Sequence, residues 1–132
     1  MEDKVEKIID YAKKQFDTQP EHLWKKYPNY AVLRNKCNKK WYAVIMDVAR
    51  KNLGLKGEEI SWVVNVKCDP MMIGSFIKRK GFLPAYHMNK DHWISVIADD
   101  SYVSTKEILN LIDMSYEIVD TSTKSKRKRR TH

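Results

Sequence analysis

The sequence contains few of the features that mark a secreted protein or a membrane protein. Its two cysteines, Cys37 and Cys68, form no paired motif, which favours free thiols in a reducing compartment. The chain opens MEDKVEK, with charges where a signal peptide would need an apolar core. No apolar run approaches the ~20 residues needed to span a bilayer. We therefore expect a cytoplasmic protein that does not associate with membranes.

The sequence also lacks the motifs of the common enzyme classes. It has four glycines and no glycine-rich phosphate loop, no HExxH helix and no nucleophile elbow. Asp91 precedes His92 directly, and neighbours on a strand point to opposite faces, so these two residues do not form an orienting pair. We expect no enzymatic activity, no catalytic residues and no cofactor.

Basic residues are abundant but unevenly placed. The formal net charge is +8. Six of the basic residues lie in the tail 124–132, which has no acidic residue. Residues 18–56 carry nine Lys or Arg against two acids, whereas residues 99–123 carry one Lys against six acids. Such a polarised charge distribution can steer a polyanion, although a solvated face with a solubilising tail would give the same composition.

Apolar periodicity and turn residues predict helix, three strands, helix, two strands, helix. The predicted elements are a helix over 3–17, strands over 30–34, 41–48 and 60–67, a helix from Asp69-Pro70 to Gly81, strands over 82–88 and 92–98, and a helix after the capping box Ser104–Glu107. Short connections favour a mostly antiparallel sheet with the helices on one face, an α+β two-layer sandwich. We expect one domain over 1–121 and a disordered basic tail over 122–132.

Two predicted hairpin tips resemble each other in composition. NKCNKK (35–40) and NKD (89–91) each present Asn and Lys, which supply base-edge and phosphate contacts in nucleic-acid complexes. Aromatic residues flank both tips, and for these rings packing within the protein is favoured over base stacking. The similarity of the two tips indicates a nucleic-acid contact more than it indicates catalysis.

A metal site at the second tip depends on the length of its turn. A two-residue turn at Asn89-Lys90 would place His87 and His92 on the same face, and a three-residue turn at 89–91 would place them on opposite faces. A zinc site needs three or four converging ligands, and no spacing supplies a third. We expect no metal.

Several segments together resemble the MmcQ/YjbR family. They are YPNYAVLRNKCNKKWYAVIMDV (27–48), NVKCDP (65–70), GFLPAYHMNKDHW (81–93) and LIDMSYEIV (111–119). The element HxNKxHW, from His87 to Trp93, is the most specific of them. The resemblance implies a small α+β fold related to the frataxin-like and secretion-chaperone-like folds. It also implies DNA binding through two hairpin wings, here Arg34–Trp41 and Met88–His92. The basic tail lies outside the family pattern.

The leading hypothesis is a non-enzymatic DNA-binding protein with low sequence preference. The expected nucleic-acid-binding residues are Arg34, Asn35, Lys36, Asn38, Lys39, Lys40, His87, Asn89, Lys90 and His92. The lysines would bind phosphates, the asparagines would position the tips, and the histidines would fix the shape of the second wing. The alternative is a protein-interaction or self-associating module, in which an open sheet face with Val44, Met46 or Trp93 exposed would dock a partner.

Overall fold

A computed structural model of the protein describes the backbone of residues 3–131 and the side chains of residues 3–120. Within this part of the chain the elements are α1 (Asp3–Phe16), β1 (Ala31–Arg34), β2 (Trp41–Ala49), a short 3₁₀ helix (Arg50–Leu53), β3 (Ile60–Lys67), α2 (Pro70–Ile77), β4 (Phe82–Pro84), β5 (Trp93–Ile97) and α3 (Thr105–Thr131). The predicted order of helices and strands is confirmed. The predicted disorder of the tail 122–132 concerns residues whose side chains lie outside this description, and it stays a prediction.

The five strands form one antiparallel sheet in the order β1-β2-β3-β5-β4. Short loops join β1 to β2 and β2 to β3, whereas α2 carries the chain from the end of β3 to the edge strand β4. The chain then returns through β5, which pairs with both β3 and β4. The α+β class and the antiparallel sheet are therefore confirmed. No helix in the described part of the chain is long and apolar enough to cross a membrane.

The helices cover one face of the sheet and form the main core with it. Their buried side chains are Val5, Ile8 and Ala12 in α1, Ile73 in α2, and Ile108, Leu111, Ile112 and Val119 in α3. In α1 and α3 these residues recur at helical spacing, so each of these two helices turns one apolar stripe toward the sheet. Burying each large aliphatic side chain stabilises the fold by about 1.5–3 kcal/mol.

A β-bulge in β2 determines which aromatic residue faces the helices. Leu33 pairs with Ala43 but Arg34 pairs with Trp41, so Tyr42 is the extra residue. Tyr42 joins the helix-side core, where its hydroxyl donates to the Thr18 hydroxyl at 2.6 Å. Burial raises the pKa of Tyr42 to about 12. Trp41 packs on the opposite face of the sheet.

The opposite face of the sheet is also covered, which corrects the expectation of an open face. The side chains of Val44, Met46 and Trp93 are only 2%, 3% and 6% exposed. A second, smaller core forms here under Trp24, Tyr30, Trp41, Leu53, Tyr86 and Met88. Consequently β3 is buried on both sides, with Val63 and Val64 both fully buried.

Two further boundaries differ from the prediction. α2 ends at Ile77 instead of reaching Gly81. Beyond this end, Arg79 forms a two-contact ion pair with Glu107 at 2.7 and 2.9 Å. β4 ends at Pro84 and β5 begins at Trp93, so a loop over residues 85–92 replaces the predicted tight turn. Beyond Pro84 the chain leaves the ladder, since the Tyr86 amide donates to the Ser95 hydroxyl at 2.8 Å.

Candidate nucleic-acid interface

The sheet brings the two predicted wings to the same end. Loop 35–40 joins β1 to β2, and loop 85–92 joins β4 to β5. β3 ends between them, because Lys67 pairs with Trp93 and Val66 pairs with Ala43. We call this region the loop end of the sheet: loops 35–40 and 85–92 together with Lys67.

Buried hydrogen bonds shape loop 35–40. The Asn35 side chain is fully buried, and its Oδ1 accepts from the amides of Cys37 at 2.8 Å and Asn38 at 3.1 Å. The Asn35 amide donates to the Lys40 carbonyl at 2.8 Å, which closes the loop. This geometry agrees with a positioning role for Asn35. Its burial excludes the Asn35 side chain from direct contact with a ligand.

The same loop is attached to α3. The Asn38 side-chain amide donates to the Val119 carbonyl at 3.0 Å, and that of Asn35 lies 3.4 Å from the Asp120 carboxylate. A loop that would otherwise project from a hairpin is therefore held against a helix far away in sequence. The attachment also places Asp120, the last residue whose side chain the structure describes, beside the loop.

Arg34 and Lys36 of the first wing have carboxylate partners. Lys36 forms an ion pair with Asp17, and this hydrogen bond raises the pKa of Lys36. Arg34 lies 2.7 Å from the Glu21 carboxylate and 5.6 Å from the centre of the Trp41 ring. Lys39 and Lys40 are also exposed in loop 35–40. The outer surface of this loop therefore carries three exposed lysines, of which Lys36 is paired with Asp17.

Loop 85–92 is anchored by two buried polar side chains that were not among the predicted site residues. Asn65 and Ser95 are fully buried and lie opposite each other on β3 and β5. Ser95 Oγ accepts from the Tyr86 amide, and Asn65 Nδ2 donates to the Tyr86 carbonyl, both at 2.8 Å. The sequence feature that could have identified them is a single polar residue within an apolar strand segment, Asn65 in WVVNV and Ser95 in WISVI. Such a residue must find a partner inside the protein.

His87 follows this anchor in a left-handed backbone conformation, with φ of 58°. For a residue other than glycine this conformation costs roughly 1–2 kcal/mol, so the surrounding structure must hold it. Its ring lies 4.0 Å from the Tyr86 ring, centre to centre, and the side chain is exposed. Neither predicted turn geometry for His87 and His92 is present, since both residues lie in the loop rather than on paired strands.

The rest of loop 85–92 is a hydrogen-bonded turn with exposed side chains. Asn89 Oδ1 accepts from the Asp91 amide at 2.8 Å, and the Asn89 carbonyl accepts from the amides of His92 and Trp93. Asn89 therefore shapes the turn, and its predicted role in nucleic-acid binding stays a prediction. Lys90 and His92 are exposed. Among the side chains of residues 3–120, no group of three or more His, Cys, Asp or Glu could hold a metal ion.

Lys67 joins the two loops and was not among the predicted site residues. It ends β3, and its ammonium lies 6.0 Å from the centre of the Trp93 ring. Its amide donates to the buried Ser115 hydroxyl at 2.8 Å, so α3 fixes this strand end. The sequence alone does not indicate that Lys67 lies near the two wings, because only the strand order places β3 between them.

Comparison with known proteins gives the family. The profile of the YjbR family matches residues 14–118. The chain belongs to the YjbR family. An uncharacterized Bacillus subtilis (strain 168) relative, YyaQ, is 41% identical over 113 residues, which is 86% of this chain and 95% of YyaQ. The resemblance to this family in the sequence is therefore confirmed.

Solved structures of similar proteins have the same fold. A Pseudomonas syringae protein is 43% identical in its crystal structure, with a TM-score of 0.82 over 86% of this YjbR chain and 96% of the other. Its solution NMR counterpart gives a TM-score of 0.77 over 86% and 90% of the two chains. A Deinococcus radiodurans protein has a TM-score of 0.62 at 18% identity, over 87% and 75% of the two chains, and shows the fold alone.

Proposed function

We propose that this YjbR protein is a non-enzymatic, cytoplasmic DNA-binding protein that contacts the phosphate backbone with low sequence preference. One observation carries the proposal. The cationic loop 35–40 and loop 85–92, which carries Lys90, lie far apart in sequence but at one end of the sheet, with Lys67 between them. Lysines at phosphates position a protein on DNA without reading its sequence, which fits a site rich in lysine.

The width of the loop end suits several phosphates. Neighbouring strands lie about 4.8 Å apart, so the three steps from β2 to β4 span roughly 14 Å. Successive phosphates of one DNA strand advance by about 3.4 Å along the helix axis, so this width covers about four of them. Lys39 and Lys40 lie at one side of the row, Lys67 in the middle and Lys90 at the other side.

The remaining predicted site residues have supporting roles in this proposal. Asn35, Asn38 and Asn89 hold the loops in shape through the hydrogen bonds described above. Lys36 and Arg34 are engaged by Asp17 and Glu21, so they add charge to the surface but are less available for a phosphate. In sequence, six basic residues follow Asp120 between positions 124 and 130, and they would add unspecific affinity.

A charge-reversal experiment separates the folded domain from the tail. We propose a loop variant, Lys39→Glu with Lys40→Glu and Lys90→Glu. It leaves the Lys36–Asp17 pair intact. The matched control, Lys51→Glu with Lys56→Glu and Lys78→Glu, makes the same charge change at exposed positions away from the loop end. A third protein lacks residues 124–132. Each is titrated with a duplex DNA at several salt concentrations, and circular dichroism checks the fold.

The expected results follow from counterion release. Each lost phosphate contact reduces the slope of log K against log salt by about 0.9, so three contacts reduce it by about 2.7. The loop variant should lose this slope and the affinity that survives tail deletion, whereas the control variant should keep its slope. If tail deletion abolishes duplex binding near physiological salt while the loop variant binds like wild type, the loop end is not the DNA site.

The alternative of protein docking on an open sheet face has less support. It requires exposed Val44, Met46 or Trp93, and these three side chains are buried. Self-association through that face would therefore require the second core to open first. DNA binding at the loop end needs no such rearrangement.

A further inference from the structure

A cleft with two lobes lies on the sheet face opposite the helices, beside loop 85–92. One lobe, about 210 Å³, is lined by Tyr27, Tyr30, Asp47 and Tyr86 among others. The other, about 360 Å³, is lined by Leu53, Leu83, Pro84 and Lys90 among others. Asn52, Tyr86 and His87 line both lobes, so the two lobes are adjacent. Together they reach the size of a small-ligand site.

The first lobe is built from aromatic rings and carries the Asp47 carboxylate. The rings of Tyr27 and Tyr30 are stacked, with centres 4.7 Å apart and planes 15° apart. Tyr27 is 49% exposed, so ring surface remains open to a further planar group. Asp47 accepts a hydrogen bond from Asn29 at 3.0 Å, and a carboxylate has capacity for several more. This lobe therefore suits a planar ring with a donor edge.

The second lobe has an apolar wall and a cation. Leu53, Leu83 and Pro84 line it, and Lys90 contributes an ammonium group. Among the described side chains Lys90 makes no ion pair, so it is available to an anion. An ammonium next to a stacking surface is the combination that binds a phosphate attached to a base.

The wall shared by the two lobes is held rigidly. Buried Asn65 and Ser95 hold both backbone groups of Tyr86, and His87 adopts its left-handed conformation directly after them. Neither core packing nor the strand ladder uses the exposed His87 ring. Residues held in rare backbone conformations often lie at ligand sites, and here the residue lies between the two lobes.

We propose that this cleft binds a nucleotide, with the base against Tyr27 and Tyr86 and the phosphate at Lys90. The nucleotide is either free or part of a single-stranded nucleic acid, since both present the same base and phosphate. The cleft shares Tyr86, His87 and Lys90 with the loop end, whereas Tyr27, Tyr30 and Asp47 lie outside the loop end. Base-dependent binding, which needs Tyr27, can therefore succeed or fail independently of duplex binding.

Calorimetric titration of the full chain with AMP, adenosine and ribose 5-phosphate tests the proposal. AMP should bind more tightly than either fragment, because only AMP fills both lobes. Tyr27→Ala should weaken AMP binding about tenfold or more, the usual effect of removing a stacking ring. Tyr102→Ala is the matched control, since Tyr102 is an exposed tyrosine (57%) that does not line the cleft. Lys90→Gln should weaken AMP and leave adenosine unchanged.

A second arm identifies the source of the nucleotide. An eight-residue single-stranded oligo(dA) is compared with an abasic strand of equal length, which has the same phosphates and no bases. If oligo(dA) binds more tightly than both the abasic strand and AMP, and Tyr27→Ala removes this difference, the ligand is a single strand. If oligo(dA) binds no more tightly than the abasic strand while AMP still binds, the ligand is a free nucleotide. The proposal is overturned if AMP binds no more tightly than ribose 5-phosphate, or if Tyr27→Ala folds normally and binds AMP like wild type.

Discussion

Replacing Asn35 by Ala measures how strongly buried hydrogen bonds hold the first loop. The side chain accepts from the amides of Cys37 and Asn38 and donates toward Asp120. Each intramolecular hydrogen bond contributes about 0.5–1.5 kcal/mol net, and the longest of the three, at 3.4 Å, is the weakest. We therefore expect the free energy of unfolding to fall by about 2–3 kcal/mol. With an unfolding entropy of about 2.1 cal/mol/K per residue, the melting temperature should fall by roughly 7–11 °C.

Asn89→Ala is the matched control. Asn89 occupies the corresponding position in the second loop, but its side chain is exposed and accepts one hydrogen bond, from the Asp91 amide. Its replacement should cost less than about 1 kcal/mol. Urea unfolding followed by tryptophan fluorescence measures both variants, because Trp41 lies next to the first loop. The m-value should stay constant, since neither change alters the surface exposed on unfolding.

The expected difference between the two asparagines distinguishes a structural loop from a projecting wing. If Asn35→Ala lowers stability by less than about 0.5 kcal/mol, or by the same amount as Asn89→Ala, the buried hydrogen bonds do not hold the loop. In that case the first wing would be free to move toward a ligand, as a projecting hairpin tip would be.

Three further predictions follow from the buried and paired groups. Ser115→Ala should lower the free energy of unfolding by about 2–3 kcal/mol, because the buried Ser115 hydroxyl bonds the Lys67 amide and the Tyr42 carbonyl; in the same urea assay Ser75→Ala, exposed on α2, should change it by less than about 0.5 kcal/mol. A thiol reagent should label exposed Cys37 at least about tenfold faster than Cys68, because Cys68 is buried and burial, followed by Asp69, raises its pKa; equal rates in the folded protein would contradict the burial. The hydrogen bond from Arg79 lowers the pKa of Glu107 in the folded protein below its ordinary value of 4.5. The pair therefore stabilises the fold fully at pH values above 4.5, and this stabilisation is lost as the pH falls through the lowered pKa of Glu107. Glu107→Gln should therefore cost less than about 1 kcal/mol at pH 7 and nothing well below pH 4.5, in urea titrations at both pH values.

The sequence by itself determined the elements and their order. The apolar stripes of α1 and α3 and the capped start of α2 are local patterns, because the residues that produce them lie within a few positions of one another. Asp69 illustrates this: it accepts from the Met71 amide at 2.9 Å, as an N-cap residue before proline should. Short connections between strands then restricted the sheet to antiparallel neighbours, and the family resemblance followed from motifs within those segments.

Only the tertiary structure decided which of the predicted site residues can reach a ligand. Asn35 is buried because Asp120 and α3 lie against its loop, 85 positions further along the chain. Loop 85–92 is not a tight turn, because Asn65 on another strand holds the Tyr86 carbonyl. Lys67 joins the site because β5 inserts between β3 and β4. Burial, hydrogen bonding and charge pairing depend on groups that are distant in sequence, so a pattern read over a few residues contains no record of them.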